Sequence, residues 1–319
     1  MVNESPTNKN NQQHNAIHNH ILTNKNLNKK TEKMKIPIKI NNETIMLRID
    51  DTLKSNLDIA RKAVTKDWDM LGVIDGAEGS GKSVLAQQLA KYCDPTFNIN
   101  NICFTPKEFK KSIIKSQQYQ SIIYDEGYTG LSARATMSTI NKTLISMLAE
   151  IRQKNLFVFV IVPTFFDLDK YVALWRSRYL IHVYCTKPFQ RGTFAFFNVD
   201  RKKDLYILGK KFYSYAKPKA NFLGTFNNLY TVDETAYRKK KRESLIGREK
   251  YRETLEKKRE LEEHILVRLL NLKEELNLTH EIIAKIVGIP ISTYFYKRKQ
   301  WEKGQELISL EPTTHPVQL

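Results

Sequence analysis

Cysteine is scarce in this chain, with three among 319 residues: Cys93, Cys103 and Cys185. No C-x-x-C pair exists and no His/Cys group has metal-ligand spacing, so no structural metal is expected. Isolated thiols suit a reducing, cytoplasmic setting, the host cytoplasm if the chain is viral. Long apolar runs are missing too. The longest, LFVFVIV at 156–162, is far too short to span a bilayer and reads as a buried strand. The opening residues are polar, so no secretory signal is expected, and no repeat of solenoid period is seen. His14, His18 and His20 read as solvated tail residues. Acidic side chains are also in deficit: 34 against 52 Lys and Arg leave a net charge of +18. Such a surplus favours polyanionic partners, nucleic acid first and an acidic membrane second, unless it reflects only a lysine-rich composition.

What is present is a clear organisation. Residues 1–33 are rich in Asn, Lys, Gln and His and hold too few apolar positions to offset their ordering entropy, so disorder is expected. Residues 34–68 predict a hairpin about Asn41-Asn42, then a helix over 51–66 with Leu53, Leu57, Ala60 and Val64 at helical spacing. Residues 69–232 alternate. Strands are expected at 71–75, 102–104, 121–125, 156–162, 179–184, 193–199 and 204–208, and helices at 83–92, 106–115 and 138–153. The alternation implies crossover connections, hence an α/β chain with a mostly parallel sheet. The last two strands, joined by RKKD, read as an antiparallel hairpin at the sheet edge. Over 233–275, charges of both signs recur at i, i+4, as in Glu253 with Lys257, which predicts an exposed helix or helical linker. A short compact unit at 276–300 and a polar tail at 301–319 follow.

The stretch VIDGAEGSGKSVLAQQLAKY, 73–92, carries the sharpest signal. Gly76, Ala77, Glu78, Gly79, Ser80, Gly81, Lys82 and Ser83 fit G-x-x-x-x-G-K-[ST] at every fixed position, with Val84 next in the helix behind. Glycines let successive N–H groups turn inward around a polyanion. Lys82 would place a point charge on the β and γ phosphates, and the Ser83 hydroxyl is a hard ligand for Mg²⁺. The helix adds its positive N-terminal end. The pattern follows a strand and opens a helix with Leu85, Leu89 and Tyr92 on one face. Together these features predict a three-layer P-loop nucleotide-binding fold with ATP and Mg²⁺ as its ligands.

SIIYDEG at 121–127 supplies an acidic residue at the end of a hydrophobic strand. Asp125 is expected to hold the Mg²⁺ and Glu126 to orient and deprotonate an attacking water. Arg152, Arg176 and Arg178 are candidates to reach a neighbouring subunit's γ-phosphate, or else are surface or phosphate-backbone arginines. Arg134 is a further candidate. Thr164 is a sensor of that phosphate or a helix-capping residue.

LNLTHEIIAKIVGIPISTYFYKRKQ at 276–300 has a second layout. Thr279 can cap a helix carrying Ile282, Ile283, Ile286 and Val287, Gly288 can end it with a left-handed turn, and ISTYFYKRK can form a second helix. That resembles a helix-turn-helix, which would turn Ser292, Thr293, Tyr296, Lys297 and Arg298 towards DNA. A helical hairpin for packing or oligomerisation is the other reading.

The order of loop, acidic strand, long helix ending in arginine, very hydrophobic strand and DLDKYVALWRSR resembles additional-strand P-loop ATPases over roughly 71–185. Within these the chain looks most like the FtsK/HerA-type translocases and the viral packaging and zonula-occludens-toxin-like ATPases. Where such relatives often carry a glutamine, this chain reads Pro163-Thr164-Phe165. The resemblance implies an ATPase acting on DNA as a homo-oligomer, a ring or a dimer, in a virus or mobile element. An ATP-dependent switch or partition protein, and a membrane-associated morphogenesis ATPase, are the alternatives.

Overall fold

A computed structural model describes residues 33–40, 43–125, 133–186 and 190–309. The expected N-terminal tail, the Asn41-Asn42 turn and Glu126 lie outside the described residues, as do the side chain of Arg134 and the end of the polar tail. The chain divides into two compact units, 1–245 and 246–319.

The first unit opens with the expected hairpin. Strand β1 (Lys33–Ile40) pairs antiparallel with β2 (Glu43–Asp50), in register from Lys33↔Asp50 to Ile40↔Glu43. Asp50 then caps helix α1 (Asp51–Val64), accepting from the N–H groups of Thr52 and Leu53 at 3.0 and 3.1 Å. Leu53, Leu57, Ala60 and Val64 form its buried stripe, as their spacing predicts.

Seven further strands form one sheet: β3 (Met70–Gly76), β4 (Ile102–Cys103), β5 (Ser121–Asp125), β6 (Phe157–Ile161), β7 (Tyr179–Tyr184), β8 (Thr193–Phe197) and β9 (Phe222–Thr225). Their order is β4-β5-β6-β3-β7-β8-β9. The first five run parallel, and β8 and β9 extend the β7 edge antiparallel. Strand β6 therefore lies between β3 and β5.

Both faces of the parallel part are covered, which is why its strands read as continuous apolar runs. Ile74, Phe159 and Ile181 pack on one side with α1 and α2 (Lys82–Cys93). Val73, Val160 and Leu180 pack on the other with α3 (Pro106–Lys115), α4 (Ala133–Gln153) and α5 (Val199–Gly209). The result is an α/β protein with helices on both sides of a mostly parallel central sheet.

One expectation fails. Residues 204–208 are not a strand; they belong to α5. Asn198 caps that helix by accepting from Arg201 N–H at 2.8 Å, and Val199, Lys202, Leu205, Tyr206 and Gly209 are buried at helical spacing while Ile207 and Leu208 face out. The strand beyond β8 is instead β9, a four-residue segment whose Gly224 lies over the Phe194 ring, where a Cβ would come within 2.3 Å of it. Lys202 is fully buried and donates to the carbonyls of Ala173 and Leu174; burial without a carboxylate partner pushes its pKa down to about 7.

The N-terminal edge of the sheet is held by Asp69, fully buried just before β3. Arg176 Nη2 lies 2.7 Å from its Oδ2, while Arg178 and Arg152 approach its Oδ1 at 3.9 and 4.0 Å. Arg152 also forks onto Asp67 with two 3.1 Å bonds, and Arg178 lies over the Trp68 ring.

In the second unit, α6 (Glu234–Asn271, which begins in the first), α7 (His280–Val287) and α8 (Ile291–Ser309) pack around Leu266, Leu270, Ile283, Ala284, Val287 and Tyr294. Thr279 caps α7, and Gly288 ends it at φ 76° as expected. Of the four apolar residues expected on this helix, Ile283 and Val287 are buried and Ile282 and Ile286 are exposed. Helix α8 continues past Gln300, the expected end of the module.

Among the described residues no helix is long and apolar enough to cross a membrane. Cys93 and Cys103 are buried, and Cys185 is exposed. Replacing Asp69 with alanine leaves the largely buried guanidinium of Arg176, 15% exposed, without its counter-charge. We expect a loss of roughly 3–5 kcal/mol, read as a shift of the denaturant midpoint at unchanged slope.

Candidate functional site

The loop at 76–83 leaves the C-terminal end of β3 and enters α2. Gly76, Gly79 and Gly81 hold φ of 134°, 73° and 102°, so the backbone turns where L side chains are strained. At Gly76 space is also closed: a Cβ there would meet the Val183 carbonyl oxygen at 2.0 Å. Gly81 sits at the helix N-cap, where its carbonyl accepts from the N–H groups of Val84 and Leu85, both at 3.1 Å, and Lys82 and Ser83 open the first turn.

Lys82 folds back over this loop. Its Nζ donates to the carbonyls of Gly76 at 2.5 Å and Ala77 at 2.8 Å. Burial lowers its pKa, against the opposing pull of Asp125 and Asp75. Ser80 is buried, and its hydroxyl has no hydrogen-bond partner among the described residues.

Asp125 ends β5 and is buried. It stands in one register row with Ile161 of β6 and Ile74 of β3, two strands away from the loop's own strand. Ser83 Oγ crosses that gap and donates to Asp125 Oδ2 at 2.7 Å. A hydroxyl and a carboxylate are both hard oxygen donors. That sparse set fits Mg²⁺, which takes one or two protein ligands and completes its shell with phosphate and water. Among the described residues no group of three or more His, Cys, Asp and Glu is placed to hold a metal by itself.

Further residues, which motif reading missed, surround the loop. Tyr237 and Lys241, one turn apart at the start of α6, reach Asp125 Oδ2 at 3.0 and 3.4 Å. Burial first, then the Asp125 charge, push the Tyr237 phenol pKa well up. Arg191, just before β8, has its Nη2 within 3.6 Å of the point a Gly79 Cβ would occupy, and the Phe226 ring lies against Gly81. The available signal for Tyr237 was a single tyrosine within a run of charges, with a lysine four residues on.

Asp75, fully buried beside Gly76, anchors a second network. It accepts from Phe165 N–H at 2.9 Å and from the Tyr215 hydroxyl, and pairs with His182 Nδ1 at 2.9 Å. Tyr215 stacks on His182 with ring centroids 3.8 Å apart, and burial beside Asp75 raises its phenol pKa strongly. Thr164 caps the short helical turn after β6, accepting from Phe166 N–H at 3.3 Å, and its hydroxyl lies 3.3 Å from that of Tyr215.

Of the predicted site residues, the structure brings together Gly76, Lys82, Ser83 and Asp125. It does not bring Arg152, Arg176 or Arg178 to them within the chain. These three gather on Asp69, at the far end of β3, roughly 20 Å away at about 3.3 Å per strand residue. In the C-terminal unit Ser292 and Tyr296 are exposed, while Thr293, Lys297 and Arg298 are half-buried. Arg298 is committed to Glu302 at 2.6 Å and to the His280 ring nitrogen at 3.0 Å.

Replacing Tyr215 with phenylalanine keeps the ring stack and removes one donor from a buried carboxylate. We expect about 1.5–3 kcal/mol of destabilisation in chemical denaturation, as for a hydrogen bond to a charged group. Comparison with protein families finds no family model that matches the chain, and comparison with curated proteins finds no match.

Proposed function

We propose that this chain is a P-loop protein that binds ATP with Mg²⁺, hydrolyses it and engages DNA through its C-terminal unit. The observation that carries the reading is the 2.7 Å contact between Ser83 and Asp125, residues 42 positions apart that meet beside the glycine loop. The parallel sheet supports it: the loop strand β3 and the acidic strand β5 end at the same edge, with β6 between them.

In this reading the loop amides and the start of α2 surround the phosphates, and Lys82 exchanges its carbonyl partners for phosphate oxygens. Mg²⁺, when bound, neutralises phosphate charge and polarises the bond to be cleaved. Ser83 and Asp125 hold its position, directly or through water. Glu126 follows Asp125 in the chain and is the residue assigned to take the proton from the attacking water. Arg191, with its Nη2 3.6 Å from the point a Gly79 Cβ would occupy, is a better-placed phosphate contact than the three arginines on Asp69.

The DNA assignment rests on the net charge of +18 and on the capped helix, glycine turn and second helix at 279–309. Exposed Ser292 and Tyr296, with Lys297 beside them, are its proposed contacts. A second reading, an ATP-dependent switch, is favoured by α6, which begins at Asp125's partners and continues unbroken to Asn271. Oligomeric state with DNA and a non-hydrolysable ATP analogue separates the two: a ring favours a motor and a dimer a switch.

Lys82→Ala is expected to abolish saturable uptake of a fluorescent ATP analogue. Glu126→Gln should keep uptake and slow hydrolysis by about 10²–10⁴-fold, the usual contribution of a general base. Normal hydrolysis by Glu126→Gln removes the base assignment; normal uptake by Lys82→Ala removes the nucleotide site. Lys297→Ala should lower the slope of log K for duplex DNA against log salt by about one, as for one lost phosphate contact. An unchanged slope removes Lys297 from the interface.

A further inference from the structure

The Oδ2 atom of Asp125 receives donors from two helices. Ser83 Oγ comes from α2 at 2.7 Å; Tyr237 Oη and Lys241 Nζ come from α6 at 3.0 and 3.4 Å. A carboxylate oxygen has about two lone-pair sites, so three donors already crowd it. The α6 side of this cluster is built rather than incidental. Tyr237 is 4% exposed, with its ring 5.7 Å from Phe104 and 5.6 Å from Tyr230. Lys240 Nζ donates to the carbonyls of Ile99 and Ile102, beside β4. The start of α6 is thus tied to both the rim of the sheet and its acidic residue.

A divalent cation brought near Ser83 and Asp125 by bound phosphates would compete with the Lys241 ammonium for the charge of that carboxylate. Two like charges sharing one carboxylate oxygen repel, and the doubly charged ion with phosphate ligands is the stronger competitor. We propose that Lys241 and a nucleotide-bound divalent cation are alternative partners of Asp125, and that Tyr237 passes this exchange to the start of α6. The inference rests on the nucleotide reading above and adds to it a sensing pair outside the loop. Tyr237 and Lys241 are positioning residues: they act on the cation through Asp125. Cation loading weakens the hold on residues 237–241 and so changes the order of the helix that leads towards the C-terminal unit.

The test uses the full-length protein, ADP and Mn²⁺. Free Mn²⁺ is followed by electron paramagnetic resonance at saturating ADP. Lys241→Met keeps the aliphatic stem and removes the competing charge; it is expected to tighten Mn²⁺ binding about tenfold, the scale on which one neighbouring charge shifts an ionic equilibrium. Hydrogen exchange on the unaltered protein provides the second readout. Amides of residues 238–245 should exchange faster with Mn²⁺ and ADP than with ADP and a chelator. Tyr237→Phe should shrink that difference. Unchanged or weaker Mn²⁺ binding by Lys241→Met, or amides at 238–245 indifferent to the metal, overturns the proposal while saturable ADP uptake leaves the nucleotide reading standing. Absence of saturable ADP uptake removes both.

Discussion

The contact between Ser83 and Asp125 organises the C-terminal edge of the sheet. It joins the first turn of α2 to the end of β5 across the intervening β6. A carboxylate this buried is costly unless donors surround it. Ser83, Tyr237 and Lys241 supply them, drawn from segments more than a hundred residues apart in sequence. The loop, the acidic strand and the start of α6 therefore share one electrostatic centre. A change at any one of them reaches the other two through a single oxygen atom.

Strand β3 is bracketed by two further buried aspartates, and the two are satisfied in different ways. Asp69 lies among guanidinium groups, with Arg176 in direct contact. Asp75 is held by an amide, a phenol and an imidazole. Full positive charge at the N-terminal edge suits a fixed brace, since a guanidinium stays protonated throughout the working range of pH. At the edge beside the glycine loop the donors are neutral or weakly basic. The cations at this edge, Lys82, Lys241 and Arg191, lie instead around the glycine loop and Asp125. One strand thus carries an arginine-braced carboxylate at one end and, at the other, a carboxylate held by an amide, a phenol and an imidazole.

Much of this was legible beforehand. Parallel strands buried on both faces announce themselves as unbroken apolar runs, and β3, β5, β6 and β7 were located to within two residues on that basis. The Lys82, Ser83 and Asp125 grouping follows from the glycine spacing and from an acid ending such a run. Four things were not legible. Residues 204–208 carry apolar side chains that suit either period, and only the Asn198 cap and the buried Lys202 decide for a helix. The short β9 depends on Gly224 admitting the Phe194 ring, a contact between segments 30 residues apart. The role of Tyr237 arises because the chain returns to Asp125 after 112 residues, and no local pattern encodes that return. Arginines beside predicted strands looked available to a phosphate because their partner, Asp69, is recognised as buried only once the strand order is known.

The distribution of thiols has a practical corollary. Burial pushes the Cys103 thiol up to about 12 and raises that of Cys93 still further, so neither forms appreciable thiolate at neutral pH. Cys185 is exposed and directly follows β7, at the same edge of the sheet as the glycine loop. The native chain thus carries one accessible handle where a maleimide dye or spin label would attach without engineering, at a place suited to reporting what happens along that rim.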